Sequence, residues 1–540
     1  MRLRLEIIQS NKAVGFQNFQ LYQKRKDIFL YGNYESAYVR MALGSALQHK
    51  SMKSLEVRFF PNPQNNEFKK DIKNFWRIST RISKMEKLVN GSASDRTSFD
   101  SSNHPLFFVP HLIKKPDNSK LSVRQQLGTS VLQKSRHYDL QIGEYSNQIN
   151  NIISMRQSSK YFAQRIYAID AANHEFDARP EVFAYLFRKA RYESSSNFNH
   201  FKTRNVLPKL QITYHVGEDF FDITSGLRAI DEAIKFLNLS HGDRLGHALA
   251  LGVEPSEFYD FKSYKVFLSR QELLDNLVWL SFSLKTHGLF DNALESWINN
   301  AIEEHFAWLY RASIPLSSSN HSVTINTYIN AWHLRGDNPE YYFDVDNKNE
   351  FVQKIRNSRR PYDLLQDDFC RGIREKDKQA CQLMHHYHYN YDVRIKGAEI
   401  VTVEIPEGFA KIIRDLQDAM LEKICHLGIG IETNPSSNYL IGTFRKYHKH
   451  PIVRFYNRWL VPTPTSPQAF VSINTDDQGV FDTDLENEYA LMSSALENAK
   501  DNNGKPLYKA TDILRWLSDI RIMGMEQSFM LTHKHLSEGR

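Results

Sequence analysis

Four short stretches of the chain set histidines and carboxylates directly behind apolar runs. YHVGED carries His215, Glu218 and Asp219, and GDRLGH ends on His247. IETNPSSN carries Glu432, Asn434 and Asn438, and VSINTDD ends on Asp476 and Asp477. Imidazoles and carboxylates are the side chains that bind divalent metals and move protons near neutral pH. Gathered in one place they suit metal-assisted hydrolysis, in which the ion lowers the pKa of its bound water toward about 7. Taken singly, each has a blander explanation. A histidine at a strand end is commonly just hydrogen-bonded, and a paired Asp commonly caps a helix. The recurrence of such residues after four apolar runs is what points to a site.

The elements that must position them read as alternating strands and helices. Candidate strands are residues 54–60, 105–113, 166–170, 210–215, 429–433 and 470–476, several of them apolar on both faces, as parallel strands covered by helices are. Leu227, Ile230, Ile234 and Leu237 form one helical stripe, with Thr224 or Ser225 placed to cap it. Phe409, Ile412, Ile413, Leu416 and Met420 form another, running into the 429–433 strand. This alternation predicts an α/β fold, either an open doubly wound sheet or a barrel. No GxGxxG or GxxxxGK[ST] follows a candidate strand, which disfavours the nucleotide-cradling open sheets. In a barrel, all C-terminal strand ends meet on one face, where the active site sits.

The ordered set HVGE (215–218), RLGH (244–247), NPSSN (434–438) and SINTDD (472–477) resembles the adenosine deaminase family of metal-dependent hydrolases. SLEVRFFP (54–61) is similar to that family's second barrel strand and IYAIDAANHE (166–175) to its fourth. The resemblance implies a TIM-type (β/α)8 barrel that converts adenosine or an adenine nucleotide to the inosine product and ammonia. It implies His215 and Asp476 as ligands of Zn2+, and Glu218 as the acid that protonates purine N1. His247 would orient the metal-bound water and assist its deprotonation. Asp477 would hydrogen-bond purine N7, and Asn173 stands where the family has a glycine close to the substrate. The HVGEDF wording and a long insertion are most similar to the deaminase subunit of bacterial RADAR anti-phage systems, which would imply an ATPase partner.

One departure is large. The family carries a His-x-His ligand pair on its first strand, and no histidine precedes His49 here. The expectation is a barrel whose first strand is absent, with RLRLEII (2–8) as a substitute lacking the ligands. The other His-x-His triplets are 386–388, 448–450 and 533–535. The last two are expected in solvated polar loops, and only His385, His386 and His388 cluster tightly. The missing pair favours a rival reading, a catalytically incomplete barrel serving as an assembly or partner-binding subunit. The intact Glu218, His247, Asp476 and Asp477 favour the enzyme.

The composition is that of a soluble globular chain: 41% hydrophobic and 24% charged residues over 540, with a mean hydropathy of −0.52. No apolar run is long enough for a membrane span. Three cysteines (370, 381 and 425) make no disulfide framework, so a reducing cytoplasm and buried thiols are expected. A net charge of +7 with dispersed basic residues makes polymeric nucleic acid an unexpected partner, and Lys114, Lys115, Arg359 and Arg360 read as exposed. The organisation expected is a first barrel part at 1–254, a mainly helical insertion at 255–400, a last barrel part at 401–520 and a tail at 521–540. Within the insertion, Trp332, Arg335, Tyr341, Tyr342 and Phe343 are expected to form a subunit contact or a lid, with a homo-oligomer as the preferred outcome.

Overall fold

The computed structural model describes residues 34–47, 52–89, 105–117, 136–195, 209–289, 291–311, 325–464 and 466–530. Seven strands make one parallel sheet: β1 (Leu55–Phe59), β2 (Leu106–Ile113), β3 (Ala168–Ala172), β4 (Gln211–Val216), β5 (Arg244–His247), β8 (Gly430–Thr433) and β9 (Val471–Ile473), in that spatial order. Every expected strand is present, and the RLGH motif is itself β5. The helix after β4 starts at Ile223, with Asp222 rather than Thr224 or Ser225 at its N-cap.

The sheet is curled. Arg58 of β1 reaches Asp170 of β3 at 3.2 Å and Glu432 of β8 at 2.5 Å, while Arg244 of β5 reaches Glu56 of β1 at 2.5 Å. In a flat sheet β1 and β8 would lie about 24 Å apart, since each of the five steps between them spans roughly 4.8 Å. Only curvature that turns these strands inward brings the side chains together. This mixed α/β half-barrel is the kind of sheet a TIM-like fold requires. The expected loss of a first strand, RLRLEII (2–8) and His49 fall outside the described residues, as do His533 and His535.

At the N-terminal ends of the strands, Phe107, Val109 and Ala168 pack against Phe529 and Met530, and the Arg244 guanidinium stacks 3.6 Å over the Phe529 ring. The C-terminal stretch expected as a tail thus begins inside a helix (Ala510–Glu526) and closes the bottom of the sheet. The opposite, C-terminal ends of the strands form the mouth.

The insertion is pinned at both ends by a small antiparallel ribbon. β6 (Lys265–Ser269) pairs with β7 (Ile400–Glu404), Lys265 opposite Glu404 and Ser269 opposite Ile400, so the chain leaves and returns at one place. Its helices lie against Pro180–Ser195 and Ile223–Phe236 of the barrel along a buried ionic seam. Within the insertion Arg335 grips Asp275 with two bonds of 2.5 and 2.7 Å, and Arg228 of the barrel lies 3.9 Å from the same carboxylate. Trp332 Nε1 donates to Glu232 at 3.0 Å, and Trp279 Nε1 to Asp231 at 2.9 Å. Trp332, Arg335 and Tyr342 are therefore buried inside the chain, not offered to a partner or held as a lid. Of the five expected contact residues, only Phe343 is exposed. Aromatics and Arg are shared vocabulary between interfaces and buried polar seams, which is why composition alone misplaces them.

The seam also makes stability depend on pH. Glu181, on the Pro180–Ser195 helix, accepts the Tyr387 hydroxyl proton and lies beside Arg335. Burial pushes its carboxyl up to about 7, with the Arg335 charge opposing that rise and Glu232 adding to it. A carboxyl whose folded pKa lies above its unfolded value stabilises the fold most below about 4.5, and that contribution is lost as pH rises toward 7. Urea unfolding should thus show a stability loss of up to about 3 kcal/mol over this window assignable to Glu181. Glu181→Gln should flatten it; an unchanged pH slope would show that Glu181 does not titrate in the seam.

Candidate active site

His215 is the penultimate residue of β4, and its Nδ1 lies 2.9 and 3.1 Å from the two carboxylate oxygens of Asp170. Asp170 is fully buried. Burial alone would raise its pKa, but His215 and Arg58 hold it well below the usual carboxylate range. A carboxylate against one ring nitrogen orients the imidazole and aims the other nitrogen outward, as carboxylates behind metal-binding histidines do. Gly246 on β5 permits the close approach of the two strands, since a Cβ there would lie 3.1 Å from the His215 Cα.

The turn after β4 is built around Glu175. Its carboxylate accepts the backbone N–H groups of Gly217 and Glu218 at 2.7 Å and of Asp219 at 3.2 Å. Gly217 adopts φ +74°, and a side chain there would strike Ile230. So held, Glu218 points at His247: its Oε1 lies 3.0 Å from His247 Nδ1. Asn438 Nδ2 lies 2.7 Å from the same nitrogen and donates to Glu218 Oε1 at 3.2 Å. The His247 ring also lies beside that of His215, with centroids 4.9 Å apart. Burial works against a charged His247, but the Glu218 carboxylate outweighs it, with Asp476 and Glu432 adding, and lifts the ring to about 9. Because the two groups touch, the proton retained up to that pH belongs to the pair.

Three of the candidate residues sit on left-handed backbone: Asn173 at φ 89°, His247 at 67° and Asp476 at 52°. Non-glycine residues adopt this region at a cost, and such costs cluster where side chains are aimed for function. Asp476 is exposed at the mouth, where it accepts the Ser437 hydroxyl at 2.7 Å. Asn173, half-buried after β3, donates to the Lys114 carbonyl at 3.0 Å. Asp477 follows β9 at the same mouth, and its charge acts on Tyr38. All six candidate residues thus lie at the C-terminal strand ends. The structure knits Glu218, His247 and His215 together, and sets Asp476 where its charge is felt by His247.

Sequence reasoning missed several neighbours. His111 of β2 stands opposite Asp170 in the register and faces Asp170, His215, Arg58 and Asp476. Burial lowers it to about 4, so it is a neutral imidazole at physiological pH. Lys114, expected to be exposed, is buried; its ammonium donates to the His215 carbonyl at 2.6 Å and lies 4.7 Å from the centre of the Tyr214 ring. His450, expected in a solvated loop, is buried against Asn438. Beneath the mouth, Arg58 and Arg244 share Glu432, whose Oε1 also takes the Thr213 hydroxyl at 2.9 Å.

Among the described residues no group of three or more His, Cys, Asp or Glu side chains is gathered to hold a metal ion. His215 and Asp476 supply two donors, where a tetrahedral zinc takes four ligands. The donor set in these residues is therefore incomplete.

Among curated proteins, none matches the chain. Residues 398–505, which hold Glu432, the Asn434–Asn438 turn, His450 and Asp476–Asp477, match the family model for adenosine deaminase, and that match supports a hydrolase of the adenosine deaminase kind.

Proposed function

We propose that this chain carries out the hydrolytic deamination of adenosine or an adenine nucleotide, releasing the inosine product and ammonia. The observation that carries this reading is the hydrogen-bonded group of Glu218, His247 and Asn438 at the strand ends that also bear His215 and Asp476. The match of residues 398–505 supports it independently. Glu218 would deliver a proton to purine N1 as water adds to C6, and ammonia would leave from the resulting tetrahedral carbon. His247 would hold the attacking water. Asp477 would hydrogen-bond purine N7, and the Asn173 side chain would alter contacts to the base or ribose.

Zinc dependence is part of the proposal, with His215 and Asp476 as ligands. A bound zinc would supply an acidified water. The incompleteness of the donor set favours a second reading, a barrel without catalysis that serves as an assembly or partner-binding subunit. Homo-oligomerisation and an ATPase partner in anti-phage defence rest on the HVGEDF resemblance and the insertion's size.

Ammonia release from adenosine, AMP and ATP, measured on the folded chain supplied with zinc, tests the choice. Stoichiometric ammonia and inosine product from one of them is the expected result; no turnover with any supports the subunit reading. Zinc measured on the purified chain should fall well below one equivalent, and His215→Ala should remove what is there. Zinc content unchanged by His215→Ala would strike His215 from the ligands.

A further inference from the structure

Three consecutive side chains of one turn grip the turn that carries Glu218. The chain leaves β3 through Asn173, whose left-handed backbone (φ 89°) ends the strand and whose amide donates to the Lys114 carbonyl at 3.0 Å. It then closes tightly, the Asp177 N–H donating to the His174 carbonyl at 3.2 Å. In an extended strand His174, Glu175 and Phe176 would alternate between two faces. Here all three meet residues 217–221. His174 Nδ1 lies 2.5 Å from Asp219 Oδ2, and Glu175 accepts the N–H groups of Gly217, Glu218 and Asp219. The Phe176 ring stacks on that of Phe221, with centroids 3.9 Å and planes 14° apart. The chemistry proposed above uses none of His174, Phe176, Asp219 and Phe221.

The ionic member of this strap has the most to hold. Three carboxylates, Glu175, Glu218 and Asp219, share the turn. Burial raises the Asp219 pKa and the Glu175 and Glu218 charges add to the rise, while His174 opposes it. Lys114, at the end of β2, faces all three carboxylates, but its ammonium is bonded to the His215 carbonyl. A neutral or absent ring at His174 would leave Asp219 repelling its neighbours, which pushes the turn away from Glu175. We propose that His174 is a positioning residue: by bonding Asp219 it keeps the 174–176 strap closed on the 217–221 turn and so fixes where Glu218 stands at the mouth. The consequence for catalysis rests on the deaminase reading; the strap itself does not.

The strap should loosen as pH rises. Burial works against a charged His174, but Asp219 outweighs it, with Asp177 and Glu175 of its own turn adding, and its pKa lies above the ordinary histidine value. Lys114 is the cation that faces Asp177 and Asp219 from β2. A group raised in this way gives its full stabilisation below its ordinary pKa and loses it as pH climbs through the raised one.

The test is backbone hydrogen exchange of Gly217, Glu218 and Asp219 in the full chain, corrected for the chemical rate and referred to β5. Protection of these amides should fall by about tenfold or more between about pH 6 and pH 10, while β5 holds. His174→Ala should show the low protection at every pH. His174→Gln, which keeps a donor for Asp219 and cannot titrate, should recover most of the protection and lose its pH dependence. Wild-type protection that does not change with pH overturns the proposal without any variant, and so does undiminished protection in a folded His174→Ala chain. With adenosine or its nucleotides, His174→Ala should lower kcat about tenfold or more with KM little changed, since Glu218 is displaced and the binding contacts are not. A wild-type chain that never turns these over, yet shows the expected exchange, would sink the deaminase reading and leave the strap standing.

Discussion

Glu218→Gln is expected to lower kcat for deamination by about 10²–10⁴-fold, the range lost when a positioned general acid is removed. The amide is nearly the same size as the carboxyl, and its oxygen can still accept the Asn438 N–H that Glu218 accepts at 3.2 Å. Its NH2 can still face His247 Nδ1, which lies 3.0 Å from the native oxygen. The turn itself depends on Glu175, whose carboxylate holds three consecutive backbone N–H groups and is untouched by the change. Fold, zinc content and substrate affinity should therefore stay close to wild type. What the variant lacks is a proton acidic enough to transfer to N1. A fall in kcat with an unchanged Kd for a substrate analogue is the signature of an interaction made in the transition state. A Glu218→Gln chain with wild-type kcat would remove Glu218 from the chemistry altogether.

The strands and the mouth were legible because both signals are local. Parallel strands covered on both faces read as short apolar runs, and the polar residues that end them read as a list of candidates. What the sequence hides is pairing across distance. His111 lies inside FFVPHLI, where it looks like one polar interruption of a buried strand; only the register that sets it opposite Asp170 turns it toward the mouth. Lys114 looks solvated because Lys115 follows it, yet it is sequestered at the mouth near Glu175, Asp170 and Asp219.

His450 is the instructive error. Lys446 and Lys449 surround it with the composition of a surface loop, and those flanks are indeed exposed or half-exposed. The turn that carries them folds back onto the helix Pro435–Ile441, which brings the His450 ring to Asn438. A residue twelve positions away in sequence thereby fixes the amide that sits between Glu218 and His247. Motif spacing could name Glu218 and His247. It could not say that an amide oriented by a loop with no motif of its own lies between them.

The largest effect on stability is expected at Arg335. Its guanidinium is buried, makes two hydrogen bonds to Asp275, accompanies Glu181 and stacks 3.8 Å over the Tyr387 ring. Arg335→Ala leaves Asp275 as a buried anion facing the more distant Arg228 at 3.9 Å, with the Tyr328 hydroxyl and the Gln271 amide still donating to it. Removing one partner of a buried pair costs about 3–5 kcal/mol, most of it the penalty of the charge left behind. The same loss should push Glu181 further up, so the variant should lose stability more steeply as pH rises through neutrality. Arg335→Lys should recover only part of the difference, since an ammonium cannot form the paired bonds that the planar fork makes. Arg335→Met with Asp275→Leu removes both charges together and should restore most of the stability, because two apolar side chains need no solvent replaced. Urea unfolding of the four chains at one pH measures this directly. A single-variant cost below about 1 kcal/mol would mean that the Arg335–Asp275 pair is hydrated and held like a surface pair.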